Sequence, residues 1–425
     1  MGMECIILCG GLGTRLRSVV PDTPKCMAEV AGKPFIEHVT EGLMRAGFDH
    51  IIYSLGYKSE CFLEWMEGYR SRMAEGGGAI LEAVVEPEPL GTGGAIRFAA
   101  RAAKDDTFFV LNGDSYLLVD YRAMLGFHRL NAGNGALATL ALKKMYDFDR
   151  YGVVAVGNAV KNSGGVILSF GEKAPCREGL INAGVYILQR EVLGLIPEKG
   201  SLEREVFERQ VASGSLFGYI GNGFFIDIGI PDDYAEAQRA FSQGLHLPFD
   251  TLLLDRDGVI DVELKNDYVR NPRMMEFIPG ALGAIAQLNG YFRRTVVVTN
   301  QRGVGRGLMT LADLEEVHGY MNSCVEAAGG RIDKIYFSTG VDLDDPLRKP
   351  NPGMAALVKA DFPQADFGRS LMVGDQPTDM EFASRAGIHA VMVDKDYTLS
   401  SLAGDIAAIC RGEEPSRPLP LEASL

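Results

Sequence analysis

The hydrophobic positions of this chain fall into short runs rich in β-branched residues, separated by segments with helical periodicity. Most runs end in Gly, Asn or Asp, as buried strands do where the chain turns away from a sheet. The clearest runs are residues 5–9, 50–55, 107–111, 251–254, 295–299 and 370–373. Alternation of such strands with helices predicts α/β layers around a mainly parallel sheet. The runs form two series, which indicates two Rossmann-like domains.

A break between the two series predicts the domain boundary. Residues 232–247 begin as a helix (DDYAEAQRAF) and are then interrupted at Ser242, Gln243, Gly244 and Pro248. A fresh buried strand, FDTLLLD, follows at once. We therefore predict domains at 1–246 and 247–410. Residues 411–425 are rich in Pro, Glu and Ser without periodicity, which predicts a flexible, loosely held tail.

Composition and charge narrow the class of protein. The chain has 425 residues, 47% hydrophobic and 23% charged, as in ordinary globular proteins. With 42 Lys+Arg against 56 Asp+Glu, its net charge of -14 argues against binding nucleic acid or an anionic membrane. The seven scattered cysteines form no C-x-x-C pair, and no apolar run has the length of a membrane span or signal peptide. We expect a cytoplasmic protein with reduced thiols.

A glycine-rich loop follows the first predicted strand. Residues 8–16 read LCGGLGTRL, and Pro24-Lys25 comes soon after. Glycines at a strand end let backbone N–H groups approach a polyphosphate, while Arg15 and Lys25 add positive charge. The loop lacks the Gly-Lys-Ser/Thr of a Walker motif and the third glycine of a dinucleotide fingerprint. Taken alone, G-G-x-G also fits a tight turn beside an incidental arginine.

Two aspartates of the N-terminal series are candidates for holding a metal ion. Asp114 follows the strand TFFVL in the sequence Asn112-Gly113-Asp114, and Asp227 lies in FFIDIGIPDDY. Ligands of open α/β sheets bind at the carboxyl ends of strands. Two carboxylates that share a site need a compensating cation, and Mg²⁺ suits oxygen ligands and phosphates. Either residue alone also fits a turn-capping role.

The order of these motifs identifies a resemblance. The set G-G-x-G-T-R-L…P-K, L-G-T-G-G-A, N-G-D, F-G-E-K, I-N-A-G-V-Y and D-I-G-I-P-D-D-Y resembles sugar-1-phosphate nucleotidylyltransferases. The surrounding sequence is most similar to guanylyltransferases acting on D-glycero-D-manno-heptose 1-phosphate. The resemblance implies an α/β domain with a mixed sheet, GTP and a sugar 1-phosphate as substrates, and Mg²⁺ as cofactor. It implies nucleotide contacts from Gly10, Gly11, Gly13, Thr14, Arg15, Lys25, Glu86 and Gly91, metal ligation by Asp114 and Asp227, and sugar-phosphate contacts from Glu172, Lys173 and Asn182.

The second domain opens with a pair of aspartates, Asp255 and Asp257, directly after a buried strand. In such a loop one carboxylate can attack phosphorus while the other handles protons. The D-x-D-G pattern alone also fits an acidic turn without chemistry. Further polar pieces follow in order, namely Thr299-Asn300, Lys349-Pro350 and Gly374-Asp375 with Asp379.

This second set resembles the haloacid-dehalogenase (HAD) superfamily of phosphatases over residues 250–395, which implies a doubly wound parallel sheet. The implied nucleophile is Asp255, and the implied general acid and base is Asp257. Thr299 and Lys349 would hold the transferring phosphoryl group. Further implied roles are Mg²⁺ ligation by Asp255, the Asp257 backbone carbonyl and Asp375, and substrate contacts from Asn300 and Arg348.

Within the superfamily, the motifs are most similar to D-glycero-D-manno-heptose 1,7-bisphosphate phosphatases and histidinol-phosphate phosphatases. Those enzymes commonly carry a Cys/His zinc loop before R-K-P, but here the stretch is STGVDLDDPLRKP. Without Cys or His we expect no zinc. Arg302 also departs from the small residue that is usual at its position.

Together the motifs predict a bifunctional enzyme that makes GDP-heptose. The phosphatase would remove the 7-phosphate, and the transferase would join the resulting 1-phosphate to GMP. An alternative is a transferase for another sugar 1-phosphate, such as mannose 1-phosphate, fused to a phosphatase for another monoester. A second alternative is that one domain is a silent regulatory or assembly module. The sequence leaves open whether the chain forms a homo-oligomer.

Overall fold

The structure is a computed structural model that describes residues 2–11, 15–16, 18–21, 23–73, 79–157, 163–265, 267–411 and 413–421. The chain forms two compact units, Met1–Ser242 and Gln243–Leu425. Among the described helices, none combines the length and the apolar character that a transmembrane span requires.

The described part of the first unit has thirteen strands. Nine of them form one large mixed sheet, and the other four form two small sheets of two strands each. Its strands are β1 (Met3–Leu8), β2 (Glu29–Val30), β3 (Lys33–Pro34), β4 (Phe48–Leu55), β5 (Ile80–Val85), β6 (Thr107–Asn112), β7 (Ser115–Leu117), β8 (Ala138–Phe148), β9 (Gly152–Gly157), β10 (Gly164–Lys173), β11 (Cys176–Gln189), β12 (Leu216–Gly221) and β13 (Phe225–Asp227). Its helices are α1 (Phe35–Arg45), α2 (Ser59–Met73), α3 (Gly91–Ala99), α4 (Tyr121–Ala132), α5 (Glu208–Gln210) and α6 (Pro231–Ser242).

The order in the large sheet is β5-β4-β1-β6-β11-β8-β12-β10-β9, and the pairs β2 with β3 and β7 with β13 form the two small sheets. The strands β5, β4, β1 and β6 run parallel, whereas β11 is antiparallel to β6 and β8. Both faces are covered: Cys5 and Ile7 pack into one hydrophobic cluster and Ile6 into another. Burial on two faces explains why β1 reads as a continuous apolar run. The prediction of a mixed-sheet α/β domain is confirmed.

The second unit is a five-stranded parallel sheet flanked by helices. Its strands are β14 (Phe249–Leu254), β15 (Phe292–Asn300), β16 (Lys334–Ser338), β17 (Leu371–Gly374) and β18 (His389–Met392). Its helices are α7 (Ala281–Leu288), α8 (Arg302–Gly305), α9 (Leu311–Ala327), α10 (Gly353–Asp361), α11 (Pro377–Ala386) and α12 (Leu399–Cys410).

The strand order β16-β15-β14-β17-β18 reverses direction at the central strand β14. Leu252 and Leu254 pack into the hydrophobic cluster on one face of the sheet, and Leu253 packs into the cluster on the other. The predicted doubly wound parallel sheet is therefore confirmed. A crevice opens at such a reversal point, outside the carboxyl ends of the strands. The loops after β14, β15 and β17 meet there.

The described part of the C-terminal segment, residues 411 and 413–421, differs from the loosely held tail predicted for 411–425 from its composition. Leu419 is 5% exposed and Leu421 fully buried, and both belong to the core of the second unit. Ser416 donates to Asp405 of α12 through its backbone N–H and its hydroxyl group, each at 2.7 Å. Two apolar residues separated by one position anchor the segment, and the composition of so short a stretch does not reveal them.

Candidate active sites

A small two-stranded ladder brings the first pair of aspartates together. Strands β7 and β13 are antiparallel, with Asp227 opposite Ser115. The backbone N–H of Ile228 donates to the carbonyl oxygen of Asp114 at 3.0 Å. Asp114 and Asp227, distant in sequence, are thereby fixed at the carboxyl end of β6.

The side chain of Lys25 lies between these two carboxylates. Its Nζ atom is 2.5 Å from Asp114 Oδ2 and 3.3 Å from Asp227 Oδ1. Burial and the neighbouring Asp114 raise the pKa of Asp227, and Lys25 opposes that rise. Both carboxylates already share one cation, and hard oxygen donors of this kind are the ligands that Mg²⁺ prefers. The resemblance implied that Lys25 contacts nucleotide phosphates, but here it contacts the two implied metal ligands.

The glycine loop leaves the carboxyl end of β1 and packs closely against its neighbours. A side chain at Gly10 would place its Cβ 2.9 Å from Glu86 Oε1, and one at Gly56 would come 3.1 Å from the Cα of Gly10. Glu86 accepts hydrogen bonds from the hydroxyl of Ser54 and the backbone N–H of Leu90. Burial raises the pKa of Glu86. Glu86 therefore borders the glycine loop, and its implied contact with the nucleotide stays a prediction.

The remaining residues implied to contact the nucleotide differ in their structural environment. Gly91 begins α3 with φ +74°, and a Cβ there would lie 2.5 Å from the carbonyl oxygen of Gly200, so only glycine fits. Gly11 and Arg15 are exposed. Gly13 and Thr14 lie outside the described residues.

The implied sugar-phosphate residues lie on β10 and β11, two strands that both pair with β9. Glu172 and Lys173 are exposed at the end of β10. Asn182 lies at an irregularity in β11, where its side chain accepts from the Gly184 N–H and donates to the Tyr186 hydroxyl, both at 3.0 Å. In this structure the side-chain amide of Asn182 therefore makes its hydrogen bonds within its own strand.

The second candidate site is a polar cleft in the C-terminal unit with a volume of about 510 Å³. It lies where the loops after β14, β15 and β17 meet. All the implied phosphatase residues line it. The lining residues are Asp255, Asp257, Glu263, Leu264, Asp267, Tyr268, Thr299, Asn300, Arg302, Arg306, Arg348, Lys349, Asp375, Gln376, Thr378 and Asp379.

Lys349 is the buried cation of this cleft. Its Nζ atom is 2.9 Å from Asp255 Oδ2 and 2.6 Å from Asp379 Oδ1, and its side chain is 1% exposed. Burial raises the pKa of Asp255 to about 7, against the opposing effect of Lys349. Burial disfavours the charge on Lys349, but Asp255 and Asp379 outweigh it and raise the pKa of the lysine. At neutral pH, binding of one proton or of one phosphate group can therefore change the charge state of the Asp255–Lys349 pair.

Two donors hold the carboxylate of Asp257. Arg256 Nη2 donates to Oδ1 at 2.7 Å, and Gln301 Nε2 donates to Oδ2 at 2.7 Å. The same Gln301 amide group also donates to the hydroxyl of Thr299 at 2.9 Å. Arg256 is fully buried, so its charge is not screened by solvent. This arrangement orients Asp257 rigidly at the edge of the cleft.

Three carboxylates in the cleft have the arrangement of a divalent-cation site. Oxygen atoms of Asp255, Asp375 and Asp379 lie within 4.8 Å of one another. Asp375 Oδ1 is buried and has no hydrogen-bond partner among the described residues, and burial raises the pKa of this group to about 6. Gly258 has φ +81°, and a Cβ there would approach Asp375 Oδ2 to 2.3 Å. The hard oxygen donors and the unpartnered buried oxygen fit Mg²⁺.

Asn300 ties two segments of the cleft together. Its side-chain amide donates to the carbonyl oxygen of Lys349 at 3.1 Å and accepts from the Lys349 N–H at 2.9 Å. The neighbouring Arg348 donates to the carbonyl oxygen of Val341. Asn300 thus has a positioning role in this structure in addition to lining the cleft.

The sequence profile of one known family covers most of the first unit. The nucleotidyl transferase profile matches residues 4–244. The chain belongs to the nucleotidyl transferase family. A second profile, described as HAD-hydrolase-like, matches residues 346–408. This nucleotidyl transferase therefore carries a HAD-like hydrolase domain and is an enzyme of two catalytic domain types.

Named relatives are similar to one unit or the other. The chain is 41% identical over 239 residues to a D-glycero-α-D-manno-heptose 1-phosphate guanylyltransferase of Aneurinibacillus thermoaerophilus, covering 56% of this chain and 97% of the relative. It is 34% identical to a mannose-1-phosphate guanylyltransferase of Mycobacterium tuberculosis, covering 57% and 66%. A crystal structure of D,D-heptose 1,7-bisphosphate phosphatase from B. bronchiseptica, with magnesium and phosphate, matches 36% of this chain and 96% of that chain at 28% identity and a TM-score of 0.34.

Sequence reasoning on this nucleotidyl transferase missed several residues around the hydrolase-like cleft. Arg256 and Gln301 were not singled out, although each stands next to a motif residue. Asp261 is fully buried with its Oδ2 atom 3.9 Å from Arg256 Nε, and His318 Nε2 lies 3.4 Å from Arg256 Nη1. Asp379 was noted in a motif but given no role. The position of Arg256 between Asp255 and Asp257, the two aspartates of the D-x-D-G pattern, was an available signal, since a buried charge there needs partners.

Proposed function

We propose that the N-terminal unit transfers a guanylyl group from GTP to D-glycero-α-D-manno-heptose 1-phosphate, and that the C-terminal unit removes the 7-phosphate from the corresponding 1,7-bisphosphate. The contact of Lys25 with both Asp114 and Asp227, beside the glycine loop, carries the first half. The 41% identity to a heptose 1-phosphate guanylyltransferase supports the choice of substrate. The contact of Lys349 with Asp255, in the cleft that Asp257 also lines, supports the proposed phosphatase activity of the C-terminal unit.

For guanylyl transfer, a sugar-phosphate oxygen attacks the α-phosphorus of GTP in line, and pyrophosphate leaves. No covalent enzyme intermediate is required, so catalysis consists of alignment and charge neutralisation. Backbone N–H groups of Gly10 and Gly11 bind the phosphates, and Asp114 and Asp227 hold Mg²⁺. The metal ion, when bound, neutralises charge on the triphosphate.

For phosphate removal, an Asp255 oxygen attacks the 7-phosphorus and the sugar oxygen leaves. Asp257 donates the proton that this oxygen requires, which makes the leaving group an alcohol. A water molecule then attacks the aspartyl phosphate while Asp257 takes its proton, which releases inorganic phosphate and restores Asp255. Lys349 and Thr299 bind the phosphoryl oxygens, and Asp255 and Asp375 hold Mg²⁺, which offsets repulsion between carboxylate and phosphate.

The two reactions fit in sequence because the product of the phosphatase is the acceptor of the transferase. The alternatives are a mannose 1-phosphate acceptor, favoured by the 34% identity to mannose-1-phosphate guanylyltransferases, and a different monoester for the phosphatase.

The test offers the purified full chain with Mg²⁺ a panel of NTPs and sugar 1-phosphates while pyrophosphate release is followed. Phosphate release is measured in parallel with heptose 1,7-bisphosphate and histidinol phosphate. The proposal expects GTP with heptose 1-phosphate, and heptose bisphosphate, to be the best substrates. A higher kcat/KM for mannose 1-phosphate or histidinol phosphate would contradict the corresponding half.

A further inference from the structure

The cleft of the C-terminal unit has lining groups of both charges. The carboxylates of Asp255 and Asp379 contact Lys349, and the carboxylate of Asp375 lies close to both of them. Three arginines also line the cleft: Arg302 and Arg306 of the segment that follows β15, and Arg348. Among the described residues, none of the three arginines pairs with those carboxylates, whereas Lys349 pairs with Asp255 and Asp379.

The arginine segments are held in fixed positions. Asn300 joins its own segment to Lys349 through two hydrogen bonds. Arg302 comes two positions after Asn300 and Arg348 directly before Lys349, so each arginine lies next to a residue of this connection. The Arg306 N–H donates to the Arg302 carbonyl oxygen at 2.9 Å, which places these two side chains one helical turn apart. The Tyr268 ring packs against this turn, since a Cβ at Gly303 would lie 2.8 Å from its Cγ atom.

These guanidinium groups lack acidic partners in the described part of the chain. No carboxylate oxygen among those residues lies within 4.0 Å of the side-chain nitrogens of Arg302, Arg306 or Arg348. Asp267, one of the acids that line the cleft, pairs with Arg270 at 2.9 Å. The buried Nε atom of Arg348 also lacks a hydrogen-bond partner there. Like charges one helical turn apart repel each other unless an anion lies between them.

We infer that Arg302, Arg306 and Arg348 form a subsite for a second phosphate group of the substrate, remote from the one that is hydrolysed. Guanidinium groups bind phosphate through paired, charge-assisted hydrogen bonds. The inference rests on the proposed function, because it assigns residues to the phosphate that the bisphosphate retains. It also predicts weak activity on histidinol phosphate, since the three arginines would repel the ammonium group of that substrate.

The experiment measures kcat/KM of the full chain for two matched pairs of substrates. One pair is heptose 1,7-bisphosphate and heptose 7-phosphate, and the other is fructose 1,6-bisphosphate and fructose 6-phosphate. Arg302→Ser and Arg306→Ser are compared with Arg302→Lys, which keeps the charge, and with Arg273→Ser, an exposed arginine outside the cleft. The expected result is a fall of about 10- to 100-fold in the ratio of bisphosphate to monophosphate kcat/KM for each serine variant.

In the expected result Arg302→Lys loses less of the ratio than Arg302→Ser, because lysine keeps the charge but not the paired hydrogen bonds. Arg273→Ser keeps the ratio unchanged, and the loss in the serine variants lies mainly in KM. A ratio that stays at the wild-type value in both serine variants overturns the subsite. A wild-type enzyme without preference for either bisphosphate overturns it as well. If heptose bisphosphate is no substrate, the proposed function fails, while the fructose pair still decides the subsite. Since Arg306 is exposed, its variant remains informative if Arg302→Ser does not fold.

Discussion

The ammonium group of Lys349 lies 2.9 Å from the carboxylate of Asp255, although the two residues are far apart in the sequence of their unit. The contact depends on the parallel pairing of β14 with β15 and on the Asn300 side chain that holds Lys349 beside them. It places a positive charge beside the carboxylate that is proposed to attack phosphate.

Asp255→Asn is expected to abolish phosphate release and to leave pyrophosphate release within a few-fold of wild type. The amide cannot form the aspartyl phosphate, and the two units have separate cores. Both activities are measured on the same preparation, with Asp344→Asn, in the exposed loop, as the matched control. Loss of both activities in a folded Asp255→Asn protein would refute the separation into two sites.

Lys25→Ala is expected to lower pyrophosphate release by about 10²-fold or more while sparing phosphate release. The substitution removes the cation that neutralises Asp114 and Asp227, and loss of one preorganised charge has effects of this size. Lys33→Ala is the matched control, because Lys33 pairs with Glu41 at 2.6 Å. Arg15→Ala belongs in the same assay and is expected to impair only the transferase. Normal transfer by the Lys25 variant would mean that the contact is incidental.

We expect Asp261→Asn to increase the free energy of unfolding of the metal-free C-terminal unit, relative to wild type, more at pH 8 than at pH 5. Burial and the nearby Asp257 raise the pKa of Asp261 from 3.8 to about 8. The folded protein therefore holds this proton more tightly than the unfolded chain, so the stabilisation present below pH 4 is lost as the pH rises through about 8. Asparagine cannot ionise and avoids this loss, which is expected to be about 1 kcal/mol or more.

Hydrogen exchange of β14 in EDTA, at several urea concentrations, measures this stability at both pH values. The only tryptophan, Trp65, lies in the first unit, so tryptophan fluorescence does not report on the second. An equal pH dependence in wild type and Asp261→Asn would show that Asp261 is ionised in the folded protein already at pH 5.

The phosphatase is expected to require Mg²⁺ and to be indifferent to zinc chelation. Residues 338–350 contain neither Cys nor His. Hydrogen bonds organise this loop: Asp345 Oδ1 accepts from the Leu347 N–H at 2.8 Å, and the Asn351 amide donates to the Leu343 and Asp345 carbonyl oxygens. Elemental analysis of protein purified without added metal checks the prediction. About one tightly bound zinc per chain would contradict it.

Several features of the molecule follow from its sequence alone. The apolar runs located the six central strands to within three residues at each end, because full burial on both faces of a sheet demands uninterrupted hydrophobic residues. Glycine and aspartate directly after those runs marked the carboxyl ends where both candidate sites lie. These signals are local, so neighbouring residues in the chain are sufficient to produce them.

Contacts between distant segments were decided only by the tertiary structure. The ladder of β7 and β13 joins Asp114 to Asp227, and Lys25 enters between them. Arg256 acquires its role from burial beside Asp257 and Asp261, and the C-terminal segment acquires its order from Leu419 and Leu421. The strength and direction of such charge interactions depend on how much water is excluded around them. That exclusion is a property of the packed core, and no single segment of sequence carries it.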